Sequence, residues 1–290
     1  MGVSVLILTL NEEANLPRCL ASVAWSDDIV VLDSCSADRT VEIAREFPNV
    51  RVFKRPFDTE WKQRNHGLHE IAYKHEWVYI CDADERMPAD LVREVAAVIE
   101  DTSLTHVAYR LRFRNYFMGR WIKRSSGYPV WIIRLVRPKL VTYEQRETNV
   151  HPLVEGTVGE LRGHFDHYSF SNGLVHWFSK HDFYSTREAM EGIKVDRASV
   201  QWRTMLCGDP MARRRAMKNL SYLVPCRSLL RFVHSYFIRG GILDGRAGFH
   251  YCCMIAMYEY WIALKMCEQR DSWRQRGDEV VRRMLAEVPK

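Results

Sequence analysis

The chain has 290 residues, 47% of them hydrophobic and 27% charged, with a formal net charge of +6. That length supports one large domain or two modest ones, and the balance is that of an ordinary globular protein without repeats or low-complexity tracts. Eight cysteines without C-x-x-C spacing argue against a zinc site, and a start that lacks a secretory signal points to the reducing cytosol.

The first hundred residues alternate strand and helix. Val3 to Thr9 (VSVLILT) is an apolar run rich in β-branched residues, as expected of a strand buried on both faces. EEANLPRCLASVA follows, with Leu16, Leu20 and Val23 at helical spacing. DIVVLDS then reads as a strand and SADRTVEIAREF as a helix. NVRVFKRPF is a third strand, EWKQRNHGLHEIAYKH a third helix and EWVYICDAD a fourth strand. PADLVREVAAVIED carries Leu91, Val95 and Val98 on one face. Repeated βα units predict a parallel sheet with helices on both faces.

Beyond about residue 105 the pattern changes. HVAYRLRFRNYF alternates apolar and basic residues, and PVWIIRLVRP and LVTYEQ read as further strands. From GLVHWFSKHDFYSTREAMEGIKVDRASV onward the chain reads as helical, broken at Pro225, Gly240, Gly241 and Gly245. The expected division is therefore a first half over 1–105, a second over 106–172 and a helical region over 173–290.

Ligands of open parallel sheets bind beyond the carboxyl ends of the strands, where strand order reverses. In the order 3-2-1-4, Thr9, Asn11, Glu12 and Glu13 after strand one share a crevice with Asp33 and Ser34 after strand two. Asp82 and Asp84 after strand four complete it. That crevice has neither G-x-G-x-x-G nor the P-loop pattern, since LTLNEEAN stands in their place. A diphosphate there needs its charge neutralised by another route. Asp82, Asp84 and Glu85 crowd the end of an apolar run (VYICDADERMP), and like charges so placed demand a positive partner. Asp82 and Asp84 project to one side roughly 6–7 Å apart on an extended segment, a spacing suited to a divalent cation, either Mn2+ or Mg2+.

Four segments, LILTLNEEANLPRCLASV, DDIVVLDSCSADRTVEIA, WKQRNHGL and YICDADE, resemble the family 2 glycosyltransferases in order and spacing. FRNYFMGRWI, RLVRP and VHPLVEGTVGELRGHFDHYSF extend the resemblance to the bacterial branch that builds lipopolysaccharide core and exopolysaccharide chains; it weakens beyond about residue 190. It implies an α/β fold of the GT-A type: a Rossmann-like, mostly parallel sheet flanked by helices, here with a C-terminal helical extension. It also implies an enzyme of the hexosyltransferase type. A sugar would pass with inversion from a nucleotide-diphosphate donor, usually UDP-linked, to a glycan or lipid-linked acceptor.

Carried over to this sequence, the resemblance sets Thr9, Asn11 and Glu13 near base and ribose, Asp33 on the nucleoside and Arg64 near the nucleotide. Asp82 and Asp84 match the metal-binding D-x-D pair, with Asp84 in direct contact. Lys180, His181 and Tyr184 lie in a segment expected near the donor phosphates. The general base is left open. The family often carries V-H-E, but Pro152 follows His151 here, so Glu147 and His151 share that expectation, with Glu155 behind them.

Between Arg203 and Arg246 stand nine basic residues against Asp209 and Asp244, interleaved with LSYLVP and LLRFVHSYFI. This pattern suits helices lying on an anionic membrane surface, and so a peripheral protein on the inner face of the cytoplasmic membrane. No nucleic-acid module accompanies the basic stretch. Two other functions fit parts of the sequence: a sugar nucleotidyltransferase, which would need a glycine-rich triphosphate loop after strand one, and a non-catalytic envelope assembly protein.

Overall fold

A computed structural model describes residues 2–101, 103–146, 150–195, 204 and 210–271. The βα units form where the apolar patterns place them: β1 (Val3–Thr9), α1 (Leu16–Val23), β2 (Ile29–Asp33), α2 (Thr40–Arg45), β3 (Val50–Lys54), α3 (Glu60–His69), β4 (Trp77–Asp82) and α4 (Ala89–Glu100). Leu16, Leu20 and Val23 of α1 and Leu91 and Val95 of α4 are fully buried on one face of the sheet. Each contributes about 1.5–3 kcal/mol of hydrophobic stabilisation. The opposite face packs Leu6, Leu32, Val78 and Ile80 against Leu68 of α3. There α3 lies so close that a Cβ on Gly67 would stand 2.7 Å from Leu6 Cδ2.

Helix α3 is shorter than its sequence pattern predicts. Past Glu70 the chain turns back: the amides of Lys74 and His75 donate to Asp28 Oδ2 (2.8 Å) and Ser4 Oγ (3.2 Å) rather than to helical carbonyls. The Tyr73 hydroxyl donates to Gly67 O at 2.6 Å and seals the helix end.

The remaining strands are β5 (Glu85–Arg86), β6 (Ala108–Phe117), β7 (Arg120–Trp121), β8 (Trp131–Val136), β9 (Val141–Tyr143), β10 (Pro152–Val154) and β11 (Val158–His167). The main sheet runs β3-β2-β1-β4-β8-β6-β11-β5, with β7 pairing β6 at the side and β9 with β10 forming a separate ribbon. Strands β1 to β4 are parallel, as expected, and β8 is antiparallel to both β4 and β6. Two-residue β5 follows β4 in the chain yet pairs with β11 at the far end of the sheet, Asp166 opposite Arg86 and His167 opposite Glu85. The sheet therefore curls until its last strand meets the tip of β4.

The C-terminal region is helical, as expected: α5 (Gly173–Ile193), α6 (Pro210–Ser221), α7 (Arg227–Val233) and α8 (Gly245–Asp271). Helix α5 packs on α8 through Ala189, Ile262 and Met266. Phe117, Ile122, Trp177 and Met254 join α8 and α5 to the sheet. Among the described residues no helix is long and apolar enough to cross a membrane.

Candidate active site

Register brings the strand tips together. Thr9 stands opposite Asp33 and Leu8 opposite Asp82, so the two carboxylates flank β1 at one level, about 10 Å apart across two strand spacings. Thr9 Oγ1 donates to Asp33 Oδ1 (3.0 Å), and the buried Asp33 also accepts from Ser36 N (2.9 Å) and Ser36 Oγ (2.5 Å). Asn11, in the left-handed region at φ 56°, accepts from Ala37 N on its side-chain Oδ1 at 2.8 Å and donates its backbone N–H to Ser36 Oγ at 2.8 Å. Glu13 accepts from Arg39 N at 3.1 Å. Thr9, Asn11, Glu13 and Asp33 thus lie on one rim, made stiff by bonds between the loops after β1 and β2.

Asp82, at the next strand tip, has protein cations on both oxygens. Arg134 of β8 donates to Oδ2 (2.7 Å) and Arg64 of α3 reaches Oδ1 (3.4 Å). Burial alone would raise this carboxyl, but Arg134 and Arg64 hold it well below the usual carboxylate range. Arg134 also pairs with Glu85, whose carboxyl is 2% exposed and pushed up to about 7 by that burial. Glu85 in turn accepts from the Asp82 amide at 3.1 Å and fixes the turn. Arg64 is further held by Glu60 (3.1 Å) and by the Tyr143 ring, 5.4 Å from its guanidinium carbon. Two of the three crowded acids are therefore balanced by arginines.

Asp84 has a different partner. Its Oδ2 lies 3.3 Å from His167 Nε2, and the Tyr168 amide donates to its carbonyl at 2.8 Å. Burial opposes ionisation of Asp84, but His167 outweighs it and lowers the carboxyl; burial likewise opposes the imidazolium, and Asp84 raises it. Glu12, raised by burial, faces Asp84, and its Oε2 accepts from Asn15 Nδ2 (2.7 Å) and Asn172 Nδ2 (3.1 Å). Asn172 precedes α5, which carries Lys180 into the same cleft. Burial disfavours the Lys180 ammonium, but Tyr184, Asp84, Asp82 and Glu12 outweigh it and raise its pKa.

These residues fit a divalent cation. Cis ligands on magnesium or manganese, at bonds near 2.1 Å, stand about 3 Å apart, close to the Asp84–His167 separation. The carboxylate is the ligand type that magnesium and manganese favour. Among the described residues no group of three or more His, Cys, Asp and Glu closes around an ion unaided, so phosphate and water would supply the rest of the shell.

The profile of Glycosyl transferase family 2 matches residues 4–168, more than half of the chain. The chain belongs to that family. It is 28% identical over 167 residues to the lipopolysaccharide core biosynthesis glycosyltransferase LpsC of Rhizobium meliloti, covering 56% of this chain and 61% of LpsC. An uncharacterized glycosyltransferase of Rickettsia typhi is 26% identical over 203 residues, covering 66% of this chain and 68% of its own length. Among solved structures, the mannosyltransferase PcManGT of Pyrobaculum calidifontis, in complex with GDP-Man and Mn2+, superposes with a TM-score of 0.52 at 13% identity, covering 91% and 86% of the two chains. The GT-A fold expected from the sequence is the fold found.

In this family 2 glycosyltransferase the other expected site residues separate. Lys180 enters the cleft, but His181, one helical step on, stacks on Trp177 (centroids 3.5 Å) and meets Tyr258 of α8 edge-on. Its Nδ1 bonds Trp177 O at 2.8 Å, and burial pushes its pKa down to about 4. The structure does not bring it to the acidic cluster. His151 sits just before β10, its carbonyl accepting from the Glu144 amide at 3.1 Å beside Tyr143. Glu147 lies outside the described residues.

Proposed function

We propose that this glycosyltransferase binds a nucleotide-diphosphate sugar, UDP-linked by the family's usual preference, across the crevice from Asp33 to Asp84. It transfers the sugar with inversion to a hydroxyl of a glycan or lipid-linked acceptor. The observation that carries this reading is the pairing of Asp84 with His167 at 3.3 Å beside Lys180. Asp33, Thr9 and Asn11 hold the nucleoside on their stiff rim. Asp84 and His167 hold a divalent cation, while Asp82, already engaged by two arginines, contributes its charge or a water-mediated contact. A cation bound there would act as Lewis acid on the departing diphosphate. Lys180 adds positive charge where negative charge grows on that leaving group. The acceptor's proton goes to a general base, for which the sequence offers Glu147 and His151.

Similarity to LpsC supports a role in lipopolysaccharide biosynthesis, and the GDP-Man and Mn2+ of PcManGT agree with this donor class and cofactor. A lipid-linked acceptor would place the enzyme peripherally at an anionic membrane on its cytoplasmic side.

The test is release of nucleoside diphosphate from a panel of UDP- and GDP-sugars with Mn2+. Asp84→Asn should lower turnover by at least about a hundred-fold with the folded circular dichroism spectrum kept. Full activity of that variant would overturn the assignment.

A further inference from the structure

At the turn between α7 and α8 the surface departs from the rest of the molecule. A π-helical turn (His234–Ile238) and a 3-10 turn (Gly241–Asp244) form the corner between the two helices. Phe237, Ile238, Ile242 and Leu243 are 57%, 74%, 49% and 64% exposed there. Leu230 and Val233 of α7 extend the same apolar stripe at helical spacing. Burying large side chains is the rule for a chain with somewhere to put them, so a cluster this exposed marks an interaction surface.

The corner is rigid. Asp244 is buried and accepts from the amides of Arg124 (2.8 Å) and Ser125 (2.7 Å) as well as from the Ser125 hydroxyl. A Cβ on Gly248 would stand 2.3 Å from Gly241 O, and one on Gly241 2.7 Å from Ser235 O. The apolar side chains are therefore displayed by a tightly packed turn, one tied to the β7–β8 connection of the catalytic domain.

Cations surround them. The Arg124 guanidinium lies against Gly240 and that of Arg120 against Gly245, and Arg239 donates to Gly127 O at 2.9 Å. Arg231 and Arg246 are exposed on the flanking helices. Among the described residues none of these five arginines has a carboxylate partner, whereas Arg227 is paired with Glu259 and Lys218 with Glu188. Asp244, within the corner, is buried and already engaged.

From this juxtaposition we infer that the 237–243 corner is a membrane-docking tip, which seats Phe237, Ile238, Ile242 and Leu243 among acyl chains and its arginine collar against anionic lipid phosphates. An exposed apolar tip flanked by guanidinium groups that, among the described residues, have no carboxylate partner matches a lipid surface, which is apolar below and anionic above, and needs no shaped groove to receive it. Arg120 and Arg124 belong to the catalytic domain, so docking would fix the cleft's orientation over the bilayer. The inference deepens the reading of a membrane-borne acceptor, yet its geometry stands without that reading.

The experiment is co-sedimentation of the full chain with sucrose-loaded vesicles of phosphatidylcholine, with and without 30 mol% phosphatidylglycerol. The wild type should bind the anionic vesicles, and binding should weaken as salt rises. Phe237→Ser with Ile238→Ser should weaken it by at least about ten-fold. Arg124→Gln with Arg246→Gln should weaken it roughly 25-fold, at about five-fold per cation. Circular dichroism melts should be unchanged in both variants. No binding by the wild type, equal binding to neutral and anionic vesicles, or variants that bind like the wild type would each overturn the tip. So would a dimer in sedimentation equilibrium that the Phe237/Ile238 variant dissolves, since a second copy would then be the occupant. Donor hydrolysis assayed without vesicles reports separately on the active site, so either claim can fail alone.

Discussion

Charges at the strand tips and charges at the C-terminal corner are handled in opposite ways. Around β4, Asp82 meets Arg64 and Arg134, Glu85 meets Arg134, and Asp84 meets His167. At the corner, guanidinium groups stand beside exposed apolar side chains without acids to match them among the described residues. Internal pairing fixes side chains before a ligand arrives, which is what positioning a diphosphate requires. Unpaired charge leaves its interaction free for a partner outside the chain. The contrast separates residues that build a site from residues that present one.

That contrast can be broken by stability measurements. Arg134→Met leaves Asp82 with Arg64 alone and strands the buried Glu85, and removing one partner of such a buried pair costs about 3–5 kcal/mol. Urea denaturation at pH 7 should show that loss; a change under about 1 kcal/mol would mean the network is solvated and the contrast false.

A paired carboxylate away from the cleft sharpens the point. Asp28 is buried and accepts from Ser4 Oγ (2.5 Å), Lys74 N (2.8 Å) and Arg51 Nη2 (2.8 Å). Burial opposes its charge, but these donors lower its pKa. A folded-state pKa below the unfolded value of about 3.9 gives stability that is fully present above the unfolded value and lost as the pH falls from there through the lower folded-state pKa. Asp28→Asn should therefore cost about 1–3 kcal/mol at pH 7, with the gap to the wild type closing as denaturation is repeated toward pH 3. A gap that stays constant with pH would remove the charge from the explanation.

The smallest effect is expected at the corner. Arg124→Gln with Arg246→Gln should change stability by no more than about 0.5 kcal/mol. A large loss in thermal denaturation would show that these arginines serve the fold.

The same two regions differ in how far the sequence discloses them. The parallel strands announce themselves as apolar runs, and their polar ends pointed to Thr9, Asn11, Asp33, Asp82 and Asp84 because topology puts strand ends together. The partners of the acids were less legible. Arg134 and His167 come from β8 and β11, brought to the tip of β4 by the curl of the sheet, and no local spacing encodes that curl. His167 lies inside a segment that resembles the family, RGHFDHYSF, yet nothing in its neighbourhood marks it as a partner of Asp84. The positive partner that the three crowded acids demand is met in part within the chain: Arg64 and Arg134 hold Asp82, and Arg134 holds Glu85. His181 shows the converse, since adjacent helical residues diverge by about 100° and only Lys180 faces the cleft. The corner's exposed tip was foreshadowed by arginines among aromatic residues, but not the contribution of Arg120 and Arg124, which are far away in the chain.

The claim on which the rest depends is that Asp84 and His167 jointly hold the ion beneath the donor diphosphate. Manganese titration followed by the loss of its free electron paramagnetic resonance signal, with UDP present, tests it directly. The wild type should take up manganese stoichiometrically and more tightly with nucleotide, while Asp84→Asn and His167→Ala should each weaken that uptake at least about ten-fold. Uptake equal to the wild type in both variants would contradict the account.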